Sequence, residues 1–220
     1  MLAVVSLPPI RLVRASAIGM ALLLAACGMA APPPPPAPSS DAQCEPPDPS
    51  LPGLSVSAAP WPAELDHLEE RLEAIDSPVL TREGQAIDLH FHLRVFVAGR
   101  AVKVPTSIGL AGEEIAGGIM TSGFVTEMHT HDASGLVHIH AVAPREFLLG
   151  EFFDVWGVAL TGERLGGYCA DDGTEVVVFA NGVRAEGNPR SVELTEGAAI
   201  VVTFGTDAEL PDPVPAAPPA

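Results

Sequence analysis

Between residues 62 and 207 the apolar positions recur with two different periods. Leu65, Leu68, Leu72 and Ile75 fall at helical spacing, with Glu69, Glu70, Arg71 and Glu73 off that face. Residues 62–75 are therefore predicted as a short amphipathic helix. His67 in that helix reads as a solvated surface residue. From Ile87 the period drops to two. Ile87, Leu89, Phe91, Leu93, Val95 and Val97 alternate with Asp88, His90, His92 and Arg94, the pattern of a strand with one face on a core. Ala98-Gly99 allows a tight turn into a return strand over 101–104, which Pro105 ends. The Gly-rich stretch 109–118 is predicted as a loop. Alternation resumes over 127–141 around the turn residues Asp132-Ala133-Ser134-Gly135. A loop of two or four residues there sets His129 opposite His138, His131 opposite Leu136 and Glu127 opposite His140. One face then carries Glu127, His129, His131, Leu136, His138 and His140. The other carries Met128, Thr130, Val137, Ile139 and Ala141, which can pack on a core. A slip of one residue would put Thr130 opposite His138 and weaken the cluster.

After Pro144 the helical period returns. Leu149, Phe152, Phe153 and Trp156 share one face, Gly157 suits the C-cap, and four large apolar groups on so short a helix read as a core plug. Residues 175–180 form a strand entering an Asn181-Gly182 hairpin turn, and 199–204 an apolar strand buried on both faces. The expected fold is mainly β, a small β-sandwich or grasp-like sheet with one or two short helices.

The ends of the chain read differently. Arg11 and Arg14 precede an apolar run over 17–26 that is too short to span a bilayer and fits an export signal. It closes on Leu24-Ala25-Ala26-Cys27, which resembles the lipobox of bacterial lipoproteins. The resemblance implies cleavage of residues 1–26 and acylation of Cys27, with the protein on the outer side of a bacterial membrane in the cell envelope. Several acyl chains would hold it there stably. Ordinary secretion, with Cys27 incidental, is the alternative. Residues 27–61 are Ala/Pro/Ser-rich, with an unbroken proline run over 32–36, and read as a semi-rigid tether. Residues 62–207 then form a single domain, and 208–220 a Pro/Ala-rich tail.

Charge narrows the partners. The formal net charge of −17 becomes −19 once Arg11 and Arg14 are removed, and Lys103 is the sole lysine. Such a balance argues against nucleic acid and against an electrostatic grip on anionic lipid, leaving the lipid anchor as the membrane contact. Besides Cys27 the cysteines are Cys44 and Cys169. Outside the cytoplasm an even pair suggests a disulfide, which would pin the tether to the domain. A free buried Cys169 or a thiolate metal ligand are the alternatives.

The candidate chemistry is in the histidines. Six of the seven, all but His67, form three His-x-His pairs: His90 and His92, His129 and His131, His138 and His140. In a strand such a pair shares one face, and neutral imidazole is the commonest protein ligand for zinc and copper. Copper or zinc is thus the expected ion, with Asp88, Glu127 and Asp132 as carboxylates that could orient the rings. Met128 and Met120 could supply a soft ligand, but Met128 lies on the wrong face by parity. One such pair alone would be read as solvated polar surface.

A resemblance enters with the longer pattern. The run from His129-Thr130-His131-Asp132 through Ser134-Gly135 to His138, followed by Phe147-x-Leu149-Gly150-x-Phe152-Phe153-x-x-Trp156-Gly157, resembles a family of exported bacterial proteins with no established activity. The His90-x-His92 strand and Val104-Pro105…Ile108-Gly109 are similar too, so the likeness spans about residues 88–205. That family carries an acid two residues beyond the His138 position, where this chain has His140. The likeness implies a domain and no function. Copper–zinc superoxide dismutases and cupin dioxygenases also use His-x-His, but their remaining ligands have no counterpart here. Ser134 lies among histidines, yet a turn serine caps backbone groups and no oxyanion site accompanies it. Three readings stay open: a metal sequestration or delivery protein without a catalytic step, a histidine-ligated metalloenzyme, and a surface interaction domain without metal.

Overall fold

The computed structural model describes Ala37, Cys44, residues 46–115 and 118–211, and Val214, with the backbone alone at 114 and 115. The signal, Cys27 and the proline run lie outside these residues, as does most of the tail. The described residues belong to one compact unit of the chain, Pro34–Ala220. In chain order the elements are α1 (Leu68–Ala74), β1 (Val79–Leu80), β2 (Ile87–Val97), β3 (Arg100–Val102), β4 (Leu110–Ile115), β5 (Ile119–Thr126) and β6 (Met128–His129). Then follow β7 (Leu136–Ala141), α2 (Leu149–Trp156), β8 (Arg164–Leu165), β9 (Tyr168–Cys169), β10 (Glu175–Ala180), β11 (Val183–Arg184) and β12 (Ala199–Gly205). The domain is mainly β.

Its main sheet has seven strands. Six run in the order β11-β10-β12-β2-β7-β6, with β3 folded back on β2, and all pairs are antiparallel except β12 with β2. The alternation of β2 places Phe91, Leu93, Val95 and Val97 on one face. There they join Val137 and Ile139 of β7, Ile200 and Val202 of β12, and the apolar side of α2 in one core. Leu149, Phe152, Phe153 and Trp156 are fully buried, and the Phe91 and Phe152 rings meet edge to face with centroids 5.9 Å apart. Burying each of these side chains stabilises the fold by about 1.5–3 kcal/mol. Gly157 ends α2 at φ 81°, in the left-handed region. Every residue of β12 is buried, in keeping with its unbroken apolar run.

Three departures from the sequence reading have physical causes. The Gly-rich stretch 109–118 contains a strand rather than a loop. β4 pairs antiparallel with β5, and its glycines allow close backbone approach: a Cβ on Gly112 would lie 2.1 Å from the Ser122 carbonyl oxygen. The helix over 62–75 is confined to Leu68–Ala74, and Arg71 is buried rather than solvated. Its guanidinium donates to the Asp154 and Pro52 carbonyl oxygens at 2.6 and 3.0 Å and pairs with the Glu64 carboxylate. Finally, residues 46–61 are packed on the domain and do not stand free as tether. Ser55 pairs with Val158, and Trp61 is fully buried edge-on to Trp156 and Tyr168, with ring centroids at 6.0 and 6.2 Å. A tryptophan within a Pro/Ala/Ser-rich stretch has more apolar area to gain by burial than such a stretch usually offers. Cys44 and Cys169 form a disulfide with Cα atoms 5.5 Å apart, which ties this segment to β9.

Candidate metal centre

The face of the sheet opposite the core carries the histidines. His138 on β7 is directly paired with His90 on β2 and, on its other side, with His129 on β6. One step along β7, His140 is opposite Asp88. This is the expected register, set by the burial of Met128, Val137, Ile139 and Ala141 on the other face. The connection between β6 and β7 is longer than two or four residues, running from Thr130 to Gly135. His131 is therefore in the connection, and the β6–β7 pairing ends at His129 without reaching it, while Leu136 pairs on its other side with His92 of β2. The connection is held from both sides. Thr130 donates its hydroxyl to the Pro105 carbonyl oxygen at 2.9 Å, and the Leu93 amide donates to the Gly135 carbonyl oxygen at 2.8 Å.

The sequence reading missed Glu83. It lies between β1 and β2, where neighbouring backbone groups dock on β7. The Gly84 amide donates to the His140 carbonyl oxygen at 3.1 Å and the Ala86 amide to that of Ala141 at 3.0 Å. A Cβ on Gly84 would stand 2.2 Å from the Ala141 carbonyl carbon, so only glycine permits this approach. The Glu83 carboxylate thereby reaches three rings. Its Oε1 is 3.0 Å from His129 Nε2 and 3.3 Å from His131 Nε2, and its Oε2 is 3.1 Å from His140 Nδ1. Only Gly84, next to it, marks its loop in the sequence, and that does not point to a histidine.

His129 is the best-fixed ring. Its side chain is fully buried, and its Nδ1 donates to the Thr126 carbonyl oxygen at 3.0 Å. A carbonyl can only accept, so Nδ1 holds the proton and Nε2 of the neutral ring presents a lone pair. That lone pair faces Glu83 Oε1 and, at 3.2 Å, His131 Nε2. The three atoms thus form a nearly equilateral triangle of 3.0, 3.2 and 3.3 Å sides. Ligand atoms on a tetrahedral zinc, about 2.0–2.1 Å from the ion, are about 3.3 Å apart.

The remaining rings form a second group. Nitrogen atoms of His90, His138 and His140 lie within 4.8 Å of one another, and Glu83, His129 and His140 form another set within the same limit. The rings of His90 and His138 stand edge to face at 4.6 Å, and those of His129 and His138 stack at 5.6 Å. Among the described residues His138 Nδ1 is buried without a hydrogen-bond partner.

The charges are consistent with neutral rings around an ionised carboxylate. Glu83 is held down to about 2, chiefly by its contact with the His129 ring, where a proton shared across the gap would serve as the hydrogen bond. Burial, followed by repulsion from His131 and His129, pushes His138 down to about 4. Burial likewise lowers His129, and burial with Arg94 nearby lowers His92. A ring that resists protonation keeps its lone pair available.

The other expected site residues are placed as follows. Asp88, largely exposed, is 3.2 Å from His140 Nε2 and 3.8 Å from His90 Nε2. His92 belongs to neither group. Glu127 turns away from the rings, because Arg145 pairs with its Oε2 at 3.1 Å and the Val142 amide binds its Oε1 at 3.2 Å. Asp132 accepts from the Ser134 amide at 2.8 Å and serves the turn. Met128 is buried in the core, which removes it as a ligand. The histidine-rich group could hold a metal ion. No family model, curated protein or solved structure matches the chain.

Proposed function

We propose that this protein binds copper or zinc at the bacterial cell surface or periplasm, held to a membrane by lipid at Cys27, and sequesters or delivers the ion without a catalytic step. The observation that carries the metal reading is the triangle of Glu83 Oε1, His129 Nε2 and His131 Nε2, whose sides match those of a tetrahedral ligand set. The donors are imidazole nitrogen and carboxylate oxygen, with no thiolate or thioether among them. That mixture suits Zn²⁺ or Cu²⁺ better than Cu⁺. The Thr126 carbonyl behind His129 is the kind of outer partner that orients a ligating ring. The lipid anchor rests on Leu24-Ala25-Ala26-Cys27 alone, and metabolic labelling with a fatty acid tests it, since Cys27→Ser should abolish the label.

The metal reading is tested by elemental analysis of residues 27–220, purified without a histidine tag, loaded with zinc or copper and freed of excess. Retained ion that is lost in His129→Ala with the fold intact supports it. No retained ion in the unaltered chain overturns it.

A further inference from the structure

We infer that the histidine face holds two metal ions in adjoining sites, with the Glu83 carboxylate and the His140 ring between them. This rests on the metal-binding reading above. Five imidazoles and one carboxylate converge on this face, and a tetrahedral ion takes only four ligands. The donors also divide themselves. Glu83 Oε1, His129 Nε2 and His131 Nε2 form the first set, with sides of 3.0 to 3.3 Å. His90, His138 and His140 form the second, their nitrogen atoms within 4.8 Å of one another.

Two groups face both ways. Glu83 turns Oε1 to His129 and His131, and Oε2 to His140 Nδ1 at 3.1 Å. A carboxylate with its two oxygens on separate donor sets is placed to bridge two ions, and such pairs are held about 3.5–4 Å apart. His140 has one nitrogen towards Glu83 and the other 3.2 Å from Asp88 Oδ1, and it belongs with Glu83 and His129 as well as with His90 and His138. An independent observation falls on the second set. Among the described residues His138 Nδ1 is buried without a hydrogen-bond partner, a costly state for a polar atom that no ion or other group engages.

The two sites differ in character. The first is built around His129, whose side chain is fully buried, and it includes a carboxylate. The second is all imidazole, and each set has one ring at the surface, His131 at 36% exposed in the first and His90 at 35% in the second. The first ion, inner because it sits on the fully buried His129 and on the Glu83 carboxylate, should therefore be held longer and the second, outer one exchanged more readily.

The test is a zinc titration of residues 27–220 followed by native mass spectrometry and elemental analysis. Two ions per chain are expected, with the second lost first to a chelator. His90→Ala, a change at a partly exposed ring, should remove the outer ion alone. His131→Ala, in the connection between β6 and β7, should remove or weaken the inner ion alone. Loading with Cu²⁺ gives a further readout, because two ions bridged by one carboxylate couple magnetically and lose electron paramagnetic resonance intensity that either variant restores per ion. Saturation of the unaltered chain at one ion would overturn the two-ion inference and leave the metal-binding reading intact. So would loss of the same single ion in both variants. Binding of no ion at all would overturn both together.

Discussion

The backbone carbonyl of Thr126 decides which nitrogen of His129 faces the centre of the cluster. It accepts from Nδ1 at 3.0 Å, so Nε2 is turned to Glu83 Oε1, also at 3.0 Å. The ring is fully buried and the carboxylate is 17% exposed. In a neutral ring, two lone pairs would then oppose each other across that gap. A shared proton or a shared cation resolves the opposition, and a divalent ion resolves it for His131 as well. The chemistry of the site thus depends on Glu83 as much as on any histidine.

Glu83→Gln keeps the shape of this side chain and removes its charge. Zinc affinity is expected to fall by at least about 10-fold, since even partners outside the ligand shell are worth that much. Competition with a chromophoric chelator measures it, and unchanged affinity would remove Glu83 from the ligand set.

A pH dependence follows from His138, whose ring is pushed down to about 4 by burial and by the rings of His131 and His129. In an unfolded chain the same ring titrates near 6.5. Between those values the unfolded state binds more protons than the folded one, so this ring's contribution makes stability rise with pH across the window and fall on acidification. Metal binding has the same sign, because protons compete for the lone pairs. Nuclear magnetic resonance should show the His138 ring still neutral at pH 5.5. A midpoint at the ordinary histidine value would contradict the packing described here.

Trp61→Ala tests where the domain begins. The side chain is enclosed by Trp156 and Tyr168, and its Nε1 donates to the Ser57 carbonyl oxygen at 2.9 Å. Truncation is expected to cost about 3–5 kcal/mol in denaturant unfolding, the usual loss for a buried aromatic. A loss under about 1 kcal/mol would restore residues 46–61 to the tether.

These residues also show what the sequence could and could not disclose. The strand and its histidine face were legible, because alternation over 87–97 and 136–141 fixes which side chains share a face. The opposition of His129 and His138 followed from the turn residues. The plug helix was legible from Leu149, Phe152, Phe153 and Trp156. Glu83 was not, since it reaches the rings from a loop with no periodicity, docked by backbone hydrogen bonds that leave no mark on the sequence beyond Gly84. Glu127 was misplaced for a related reason. It falls between β5 and β6, where regular pairing lapses, and Arg145, 18 residues on, captures its carboxylate. Arg71 falls off the apolar face of its helix, and only the three-dimensional gathering of Glu64, Pro52 and Asp154 around it permits its burial.

The turn that supports Glu83 supplies the sharpest test, because it can be altered without touching a ligand. Gly118 opens β5, its carbonyl oxygen accepts from the Glu83 amide at 2.8 Å, and its φ of 69° lies in the left-handed region. A Cβ added there would come within 2.1 Å of Glu83 Oε2, inside any allowed contact. The obstructing atom is the end of a side chain, so the carboxylate is what should move, away from His129 and His140. Gly118→Ala is therefore expected to weaken zinc binding to a similar extent as Glu83→Gln, with a stability loss of about 1–2 kcal/mol from the left-handed backbone. Gly182→Ala separates the two effects. That glycine has φ 81° in the turn between β10 and β11, and a Cβ there would meet no atom within 4 Å. It should lose comparable stability and keep full affinity. If both variants bind zinc equally well, Gly118 does not position Glu83. If both bind equally poorly, the loss reflects destabilisation of the sheet and not displacement of the carboxylate.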